Sequence, residues 1–125
     1  MPRRADIDPV EMRALVNNVI LFEVVEPISR FRVRLVGQAI IDFVGFNSTG
    51  RYAGDDMPPD SAARMIAILA DVVARRAPRF RAGFAHWHRD KSYRNFEACF
   101  LPLSDDDSTV DKILGGITFA TDRPA

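Results

Sequence analysis

The chain has 125 residues, of which 47% are hydrophobic, and this is enough for one globular domain with a single core. Its 17 lysines and arginines balance 17 aspartates and glutamates, so no overall field attracts nucleic acid or anionic lipid, and we expect neither nucleic-acid nor membrane binding. The sequence contains no signal-peptide pattern and no apolar stretch long enough to cross a bilayer. It has a single cysteine, Cys99, which cannot form a disulfide within the chain. These features predict a cytoplasmic protein.

The first predicted elements are a short helix and a strand. Asp8 is typical of a helix N-cap and Pro9 of the first helical position, while the asparagine pair that begins at Asn17 ends the helix. The next stretch, VILFEVVE (residues 19–26), is rich in β-branched and aromatic side chains and predicts a strand.

A second strand is predicted at residues 30–37, RFRVRLVG, which would form a hairpin with the first. Its side chains alternate between apolar and basic along the whole stretch. This pattern is typical of an antiparallel sheet with one buried and one solvated face. We therefore expect Phe31, Val33 and Leu35 to face the core, and the arginines between them to face solvent.

The middle of the chain predicts helices. Residues 38–44 form a short helix that Gly45 closes, and a glycine-containing turn follows it. The long helix begins at Pro58 and Pro59 and stops before Pro78. Its apolar stripe consists of Met65, Leu69, Val72 and Val73.

Three further strands are predicted at residues 79–88, 93–103 and 112–120, and polar turns of hairpin length separate them. The whole order is helix, two strands, a helical middle and three strands. From the alternation we expect a core that contains Phe31, Val33, Leu35, Leu69, Val72, Phe84, Ile117 and Phe119.

Four aspartates cluster in the last predicted turn, SDDDSTVD (residues 104–111). A calcium loop of the EF-hand type needs a glycine at its sixth position and a glutamate at its twelfth, and counted from Asp105 those positions hold Val110 and Gly116. Aspartate and serine side chains commonly bond their own backbone in turns. The pattern therefore predicts a solvated hairpin turn rather than a metal site.

Four stretches that together extend over almost the whole chain carry a resemblance to a known family: RRADIDPVEMRALVNNVILFEVV, RFRVRLVGQAI, FNSTGRY and LPLSDDDSTVDKILGGI. The most specific parts are DIDP, RLVG and TGR. In these the chain resembles a family of small, stand-alone bacterial PAS-like proteins. The resemblance implies one α+β domain over residues 1–125, with an N-terminal arm and helix at 1–18 and a PAS core at 19–121. It implies a five-stranded antiparallel sheet of order 2-1-5-4-3 with a helical crossover on one face.

The resemblance also implies a sensory or interaction role in bacterial signalling, with a small ligand or a signalling protein as partner and without enzyme activity. It names no cofactor. A light-sensing flavin adduct would need a cysteine on the crossover, and residues 38–78 contain none. A ligand would lie between the sheet and the crossover, where the candidate lining residues are Phe43, Met65, Leu69, Phe84, His86, Cys99 and Ile117.

We further expect a homodimer, since the chain stops directly after its last predicted strand and any signal must leave through a surface. PAS domains often pair through an N-terminal helix and the outer face of the sheet. The side chains assigned to that outer face are Ile20, Phe22, Val24, Trp87, Phe96 and Phe100.

Several chemical alternatives stay open. His86 and His88, with Cys99 or Glu97 on the next strand, have side chains that bind metals, but no supporting ligand motif accompanies them. Asp42 or His86 could be the acid or base of a small α+β-barrel isomerase or hydratase.

A basic cluster consists of Arg75, Arg76, Arg79, Arg81, Arg89, Lys91 and Arg94. It is typical of a solvated edge or a protein contact. A nucleotide or phosphate site is the alternative.

Overall fold

The structure is a computed structural model, and it describes residues 16–25, 30–84 and 95–119. The predicted N-terminal helix lies outside these ranges. A 3₁₀ turn at Val16–Asn18 precedes the regular elements, which are β1 (Val19–Val25), β2 (Arg30–Val36), α1 (Gln38–Val44), α2 (Pro59–Arg75), β3 (Arg79–Phe84), β4 (Asn95–Leu103) and β5 (Lys112–Phe119).

The strands form one antiparallel sheet in the order β2-β1-β5-β4-β3. The fold is therefore α+β, and the five-stranded sheet that the family resemblance implied is confirmed. Within the described ranges, no helix is both long and apolar enough to cross a membrane.

Both helices of the crossover begin and end at residues that the sequence marks. Gly45 follows α1 with a φ of 100°, which glycine adopts without strain, and its N–H donates to the carbonyl of Ile41. Pro59 is the first residue of α2, as predicted. The helix ends at Arg75, before Pro78, because Arg76 takes a left-handed conformation and donates its N–H to the carbonyl of Val72.

The core lies between one face of the sheet, called the inner face below, and the two helices. Its largest cluster of buried side chains comprises Ile20, Phe22, Phe31, Val33, Ile40, Phe43, Met65, Leu69, Val72, Phe96, Ala98, Phe100, Val110 and Ile113. Of the predicted core residues, Ile117 and Phe119 are partly buried against this cluster. The side chain of Phe84 lies outside the described part.

The prediction that Leu35 is buried is wrong, since 42% of this residue is exposed. Phe22 pairs with Val33, whereas the preceding residue, Leu21, pairs with Leu35. Arg34 is thus an extra residue, or β-bulge, in β2. A bulge reverses the alternation of side chains beyond it, which turns Leu35 away from the core.

The residues assigned to the outer face of the sheet were also assigned wrongly. Ile20, Phe22, Phe96 and Phe100 are buried in the core cluster, and Val24 packs against it. Trp87 lies outside the described residues. The first strand is apolar at nearly every position, so its sequence alternation cannot decide which face is buried.

The outer face instead carries a smaller buried cluster of four side chains, Val19, Leu21, Leu103 and Leu114. Toward the far edge of the sheet the described side chains of this face range from partly buried, at Cys99, to exposed. Phe80 of β3 is 75% exposed there. An exposed phenylalanine of this kind is a candidate contact residue.

The aspartate-rich segment connects β4 to β5, which confirms the predicted turn. Asp106 Oδ1 accepts hydrogen bonds from the backbone N–H groups of Thr109 (2.8 Å) and Ser108 (2.9 Å) and from the hydroxyl of Ser104 (2.8 Å). These donors stabilise the carboxylate and lower the pKa of Asp106 to about 2. The carboxylate is therefore the centre of the loop's own hydrogen bonding.

Candidate functional site

A cavity of about 130 Å³ lies between the inner face of the sheet and the helical crossover. Its floor is formed by strand residues, and its roof by α1, by Met65 of α2 and by the loop between the two helices. The sheet contributes Ile20, Phe22, Val33, Arg81, Phe96, Ala98, Phe100 and Ile117. The helices and the loop contribute Ile40, Val44, Phe46, Ser48, Tyr52, Ala53, Gly54, Asp56, Met57 and Met65.

The sequence leaves room for the cavity by placing small side chains where larger ones would fill it. Ala98 lies between two phenylalanines of the same face, Phe96 and Phe100, and its pairing partner is Ile117. Met57 and Met65 form part of the opposite wall. Methionine has three rotatable bonds and adapts to irregular space, so this wall can adjust to an occupant.

The loop that roofs the cavity is held to the edge of the sheet. The N–H of Val33 donates to the carbonyl of Arg51, and the N–H of Ala53 donates to the carbonyl of Phe31, each at 2.8 Å. The loop then passes under α2 at Gly54, where an added Cβ would lie 3.2 Å from the Cβ of Ala62. A φ of 94° and this close approach both favour glycine there.

Two ion contacts further stabilise the loop. Arg51 Nη1 lies 2.9 Å from Asp56 Oδ1, so the carboxylate that lines the cavity already has a cationic partner. The guanidinium of Arg30 stacks over the ring of Tyr52 at 3.7 Å. The loop is therefore an ordered wall and not a loose cover.

Among the described lining residues, Arg81 is the one with a positive charge. It is partly buried, and its guanidinium carbon lies 5.3 Å from the centre of the Phe96 ring. Burial, and then the positive charge of Arg64, lower the pKa of Arg81. In the described part of the chain, no carboxylate forms a salt bridge with it.

The other arginines of the basic cluster that are described lie in different surroundings. Asp71 accepts hydrogen bonds from both Arg75 and Arg79, and the bond to Arg79 is the main reason that the pKa of Asp71 is lowered. Arg76 donates to the carbonyl of Ser108 at 3.3 Å. The structure thus separates Arg81 from a cluster that the sequence presents as one feature.

Two of the candidate lining residues, Met65 and Ile117, meet at the cavity. Phe43 is buried nearby and stacks on Phe119, with ring centres 3.8 Å apart, without lining the cavity. Leu69 is fully buried in the core cluster and does not line the cavity either.

The remaining candidates lie elsewhere. Cys99 alternates with Ala98 and Phe100 along β4, so its side chain is on the outer face, where burial raises the pKa of the thiol. Phe84 ends β3 and pairs with Asn95. His86 lies outside the described residues.

Asp42, the candidate acid or base, is exposed on α1 and does not line the cavity. Its carboxylate accepts a hydrogen bond from Gln38 Nε2 at 2.8 Å, one turn earlier in the same helix. An isomerase or hydratase would need this carboxylate inside an apolar pocket. His88, like His86, lies outside the described part, and no group of three metal-binding side chains occurs within that part.

Sequence reasoning missed Arg81 and the loop residues as members of the site. A signal was present in the strand alternation: Arg81 pairs with Ala98, so both side chains share the inner face. The loop residues carry no comparable signal, because their position depends on how the loop folds over the sheet edge.

Comparison with known proteins supports the fold. A family model described as PAS domain matches residues 1–118. The PAS domain of BvgS from Bordetella pertussis is similar in structure, with a TM-score of 0.67, 23% identity, and coverage of 94% of this chain and 90% of that one.

Two further solved structures have the same fold. A sensory box sensor histidine kinase from Vibrio cholerae matches with a TM-score of 0.63 and 14% identity, and the match covers 90% of each chain. A LOV protein from Rhodobacter sphaeroides matches with a TM-score of 0.63 and 14% identity, over 90% of this chain and 68% of the other. Among curated protein sequences, none matches significantly.

Proposed function

The chain belongs to the PAS-domain family, and on this premise we propose that it is a sensory domain of bacterial cytoplasmic signalling. In this proposal residues 1–125 form a single domain that binds a small molecule in the cavity over the sheet. Binding changes the surface that the domain presents to a protein partner, and the domain has no catalytic role of its own.

The observation that carries the proposal is the cavity itself. Protein interiors are close-packed, and voids larger than a water molecule are few in a domain. A cavity of about 130 Å³ approaches the roughly 150 Å³ of an engineered apolar cavity that binds benzene. It is smaller than the roughly 300–1,000 Å³ typical of pockets for drug-sized ligands. The ligand that fits is therefore about the size of one ring.

The fold that this chain shares with its structural neighbours supports a signalling role. One of these neighbours is a sensory box sensor histidine kinase, which is a signalling protein. For the present chain this role is a proposal that rests on the fold and on the cavity together.

We propose that the output passes through a homodimer. The support is Phe80, which is 75% exposed on the outer face of the sheet, away from the cavity. A dimer contact there would cover an apolar side chain that one chain leaves in solvent.

The experiment that tests ligand binding compares the wild type with Ala98→Leu, which fills the cavity floor. Benzyl alcohol serves as a neutral probe, and binding is measured by isothermal titration calorimetry. We expect binding to the wild type and at least a tenfold loss in Ala98→Leu, a difference of about 1.4 kcal/mol.

Ala82→Leu is the matched control, because Ala82 is exposed and pairs with Glu97 on the outer face. This variant adds the same atoms outside the cavity and should bind benzyl alcohol like the wild type. A wild-type protein that does not bind the probe would contradict the proposed function.

A further inference from the structure

The cavity wall holds a positive charge that no described carboxylate neutralises. Arg81 lines the cavity and is partly buried, and another cation, Arg64, lies close enough for its charge to act on Arg81. The carboxylate on the same wall, Asp56, is bound to Arg51.

Such an arrangement favours an anion at the guanidinium. The partial burial of Arg81 removes some of its water, and a guanidinium that loses water is stabilised by an anionic hydrogen-bond partner. By contrast, two residues earlier on the same strand, Arg79 has its partner in Asp71. Among the described residues, a carboxylate pairs with Arg79 of this strand face, whereas Arg81 lines the cavity without one.

We propose that the ligand is a small amphipathic carboxylate whose apolar body occupies the cavity and whose carboxylate binds the guanidinium of Arg81. This inference rests on the proposed function, because it names the class of molecule that the sensory cavity takes. The planar guanidinium presents paired N–H donors that match the two oxygens of a carboxylate.

The wall favours a carboxylate over a phosphate or nucleotide. Its lining is predominantly apolar, and its volume of about 130 Å³ suits one ring or a short chain. A phosphate ester carries about two negative charges and needs several donors around it. Among the described lining residues the cavity offers a single guanidinium, that of Arg81, because Asp56 is an anion that is already paired with Arg51.

The experiment compares benzoate with benzamide, which has nearly the same shape and no charge. Affinities are measured by calorimetry for the wild type, for Arg81→Gln and for Arg79→Gln as matched control. We expect the wild type to bind benzoate about ten to a hundred times more tightly than benzamide, the range for a charge-assisted hydrogen bond. In Arg81→Gln this preference disappears, while benzamide binds as before, which also reports that the variant is folded.

In Arg79→Gln the preference for benzoate should remain, although the variant loses stability with its Asp71 contact. Equal binding of benzoate and benzamide by the wild type would overturn the inference and leave the sensory cavity intact. Binding of neither probe would overturn the inference together with the proposed function. A benzoate preference that persists in Arg81→Gln would assign the anion to another residue and also overturn it.

Discussion

The two halves of α2 cover the inner face of the sheet differently. In the second half, Leu69 and Val72 have no exposed surface and do not line the cavity, and we call this the packed region. In the first half Met65 forms part of the cavity wall, together with Met57 just before the helix, and we call this the open region.

The charges follow the same division. In the packed region, Asp71 joins the end of α2 to the start of β3 through Arg75 and Arg79. In the open region, Arg81 of the same strand has no described carboxylate partner. One continuous apolar stripe of a helix therefore has two environments, since its packed half lies in the core and its open half borders the cavity.

The largest expected effect is on the packed region. Leu69→Ala should lower the free energy of unfolding by about 2–5 kcal/mol, because it opens a void in a fully buried site. Met65→Ala should cost less, near the lower end of the same range at about 2 kcal/mol, because part of its surface already borders a cavity and makes no contacts to lose. Urea unfolding measures both, and equal losses would contradict the division of α2 into two regions.

Adding one methyl group to β5 should disturb the floor of the open region. In Gly115→Ala the new Cβ would lie 2.9 Å from Ile20 Cγ2 and 3.1 Å from the Phe100 ring, and both of these residues line the cavity. We expect a loss of about 1–3 kcal/mol in the free energy of unfolding. Benzyl alcohol should also bind more weakly, since the displaced side chains enter the cavity.

Gly116→Ala is the matched control for this variant. A Cβ there has nothing within 4 Å, so the stability should change by no more than about 0.5 kcal/mol. If thermal unfolding gave the same loss for both variants, the crowding at Gly115 would not be the cause.

A smaller effect is expected in the hairpin loop that contacts the end of the packed region through Arg76. Asp106 has a pKa lowered to about 2, below its ordinary value of 3.8, so the unfolded chain takes up its proton first. The stabilisation is therefore present above about pH 4 and is lost as the pH falls toward 2.

Asp106→Ala should be less stable at neutral pH and should lose less stability than the wild type between pH 4 and pH 2. Thr109→Ala, in the same loop, keeps the backbone N–H that donates to Asp106 and is the control, which should keep the acid dependence of the wild type. Thermal unfolding of the variants and the wild type across this pH range measures the difference in acid dependence. An unchanged acid dependence in Asp106→Ala would show that its hydrogen bonds do not stabilise the loop.

The smallest effect on stability is expected on the outer face, far from both regions of α2. Phe80→Ser should change the free energy of unfolding by no more than about 0.5 kcal/mol, because the side chain is exposed. It should weaken self-association, which sedimentation at micromolar concentration measures. A wild-type protein that sediments near its chain mass of 14.0 kDa would contradict the homodimer.

Much of the fold follows from the sequence, for reasons that particular residues illustrate. The proline pair that begins at Pro58 determines where α2 starts, and Gly45 determines where α1 stops. Burial of Phe31 and Val33 follows from strict alternation. The exposure of Leu35 does not follow, because a bulge depends on the pairing between two strands and leaves no mark in either one alone.

The candidate site was less predictable than the fold. Met65 and Ile117 lie on faces that periodicity identifies, and both line the cavity. A cavity, however, depends on the volumes of side chains from many elements at once, so no single segment of the sequence predicts it. Arg81 also differs from Arg79 only in its tertiary surroundings, since Arg79 pairs with Asp71 and Arg81 has no salt bridge to a described carboxylate. In sequence the two arginines are indistinguishable.

The most direct test of the proposed binding site is to map the amide ¹H–¹⁵N chemical shifts of the wild type as benzoate is added. We expect the shift changes to concentrate in the open region, at the amides of Gly54, Met65, Arg81 and Ala98, and the shifts of Val72 and Phe80 to stay nearly unchanged. Shifts confined to the exposed arginines, or shifts that extend equally to the packed region, would contradict the claim that the open half of α2 covers a ligand site.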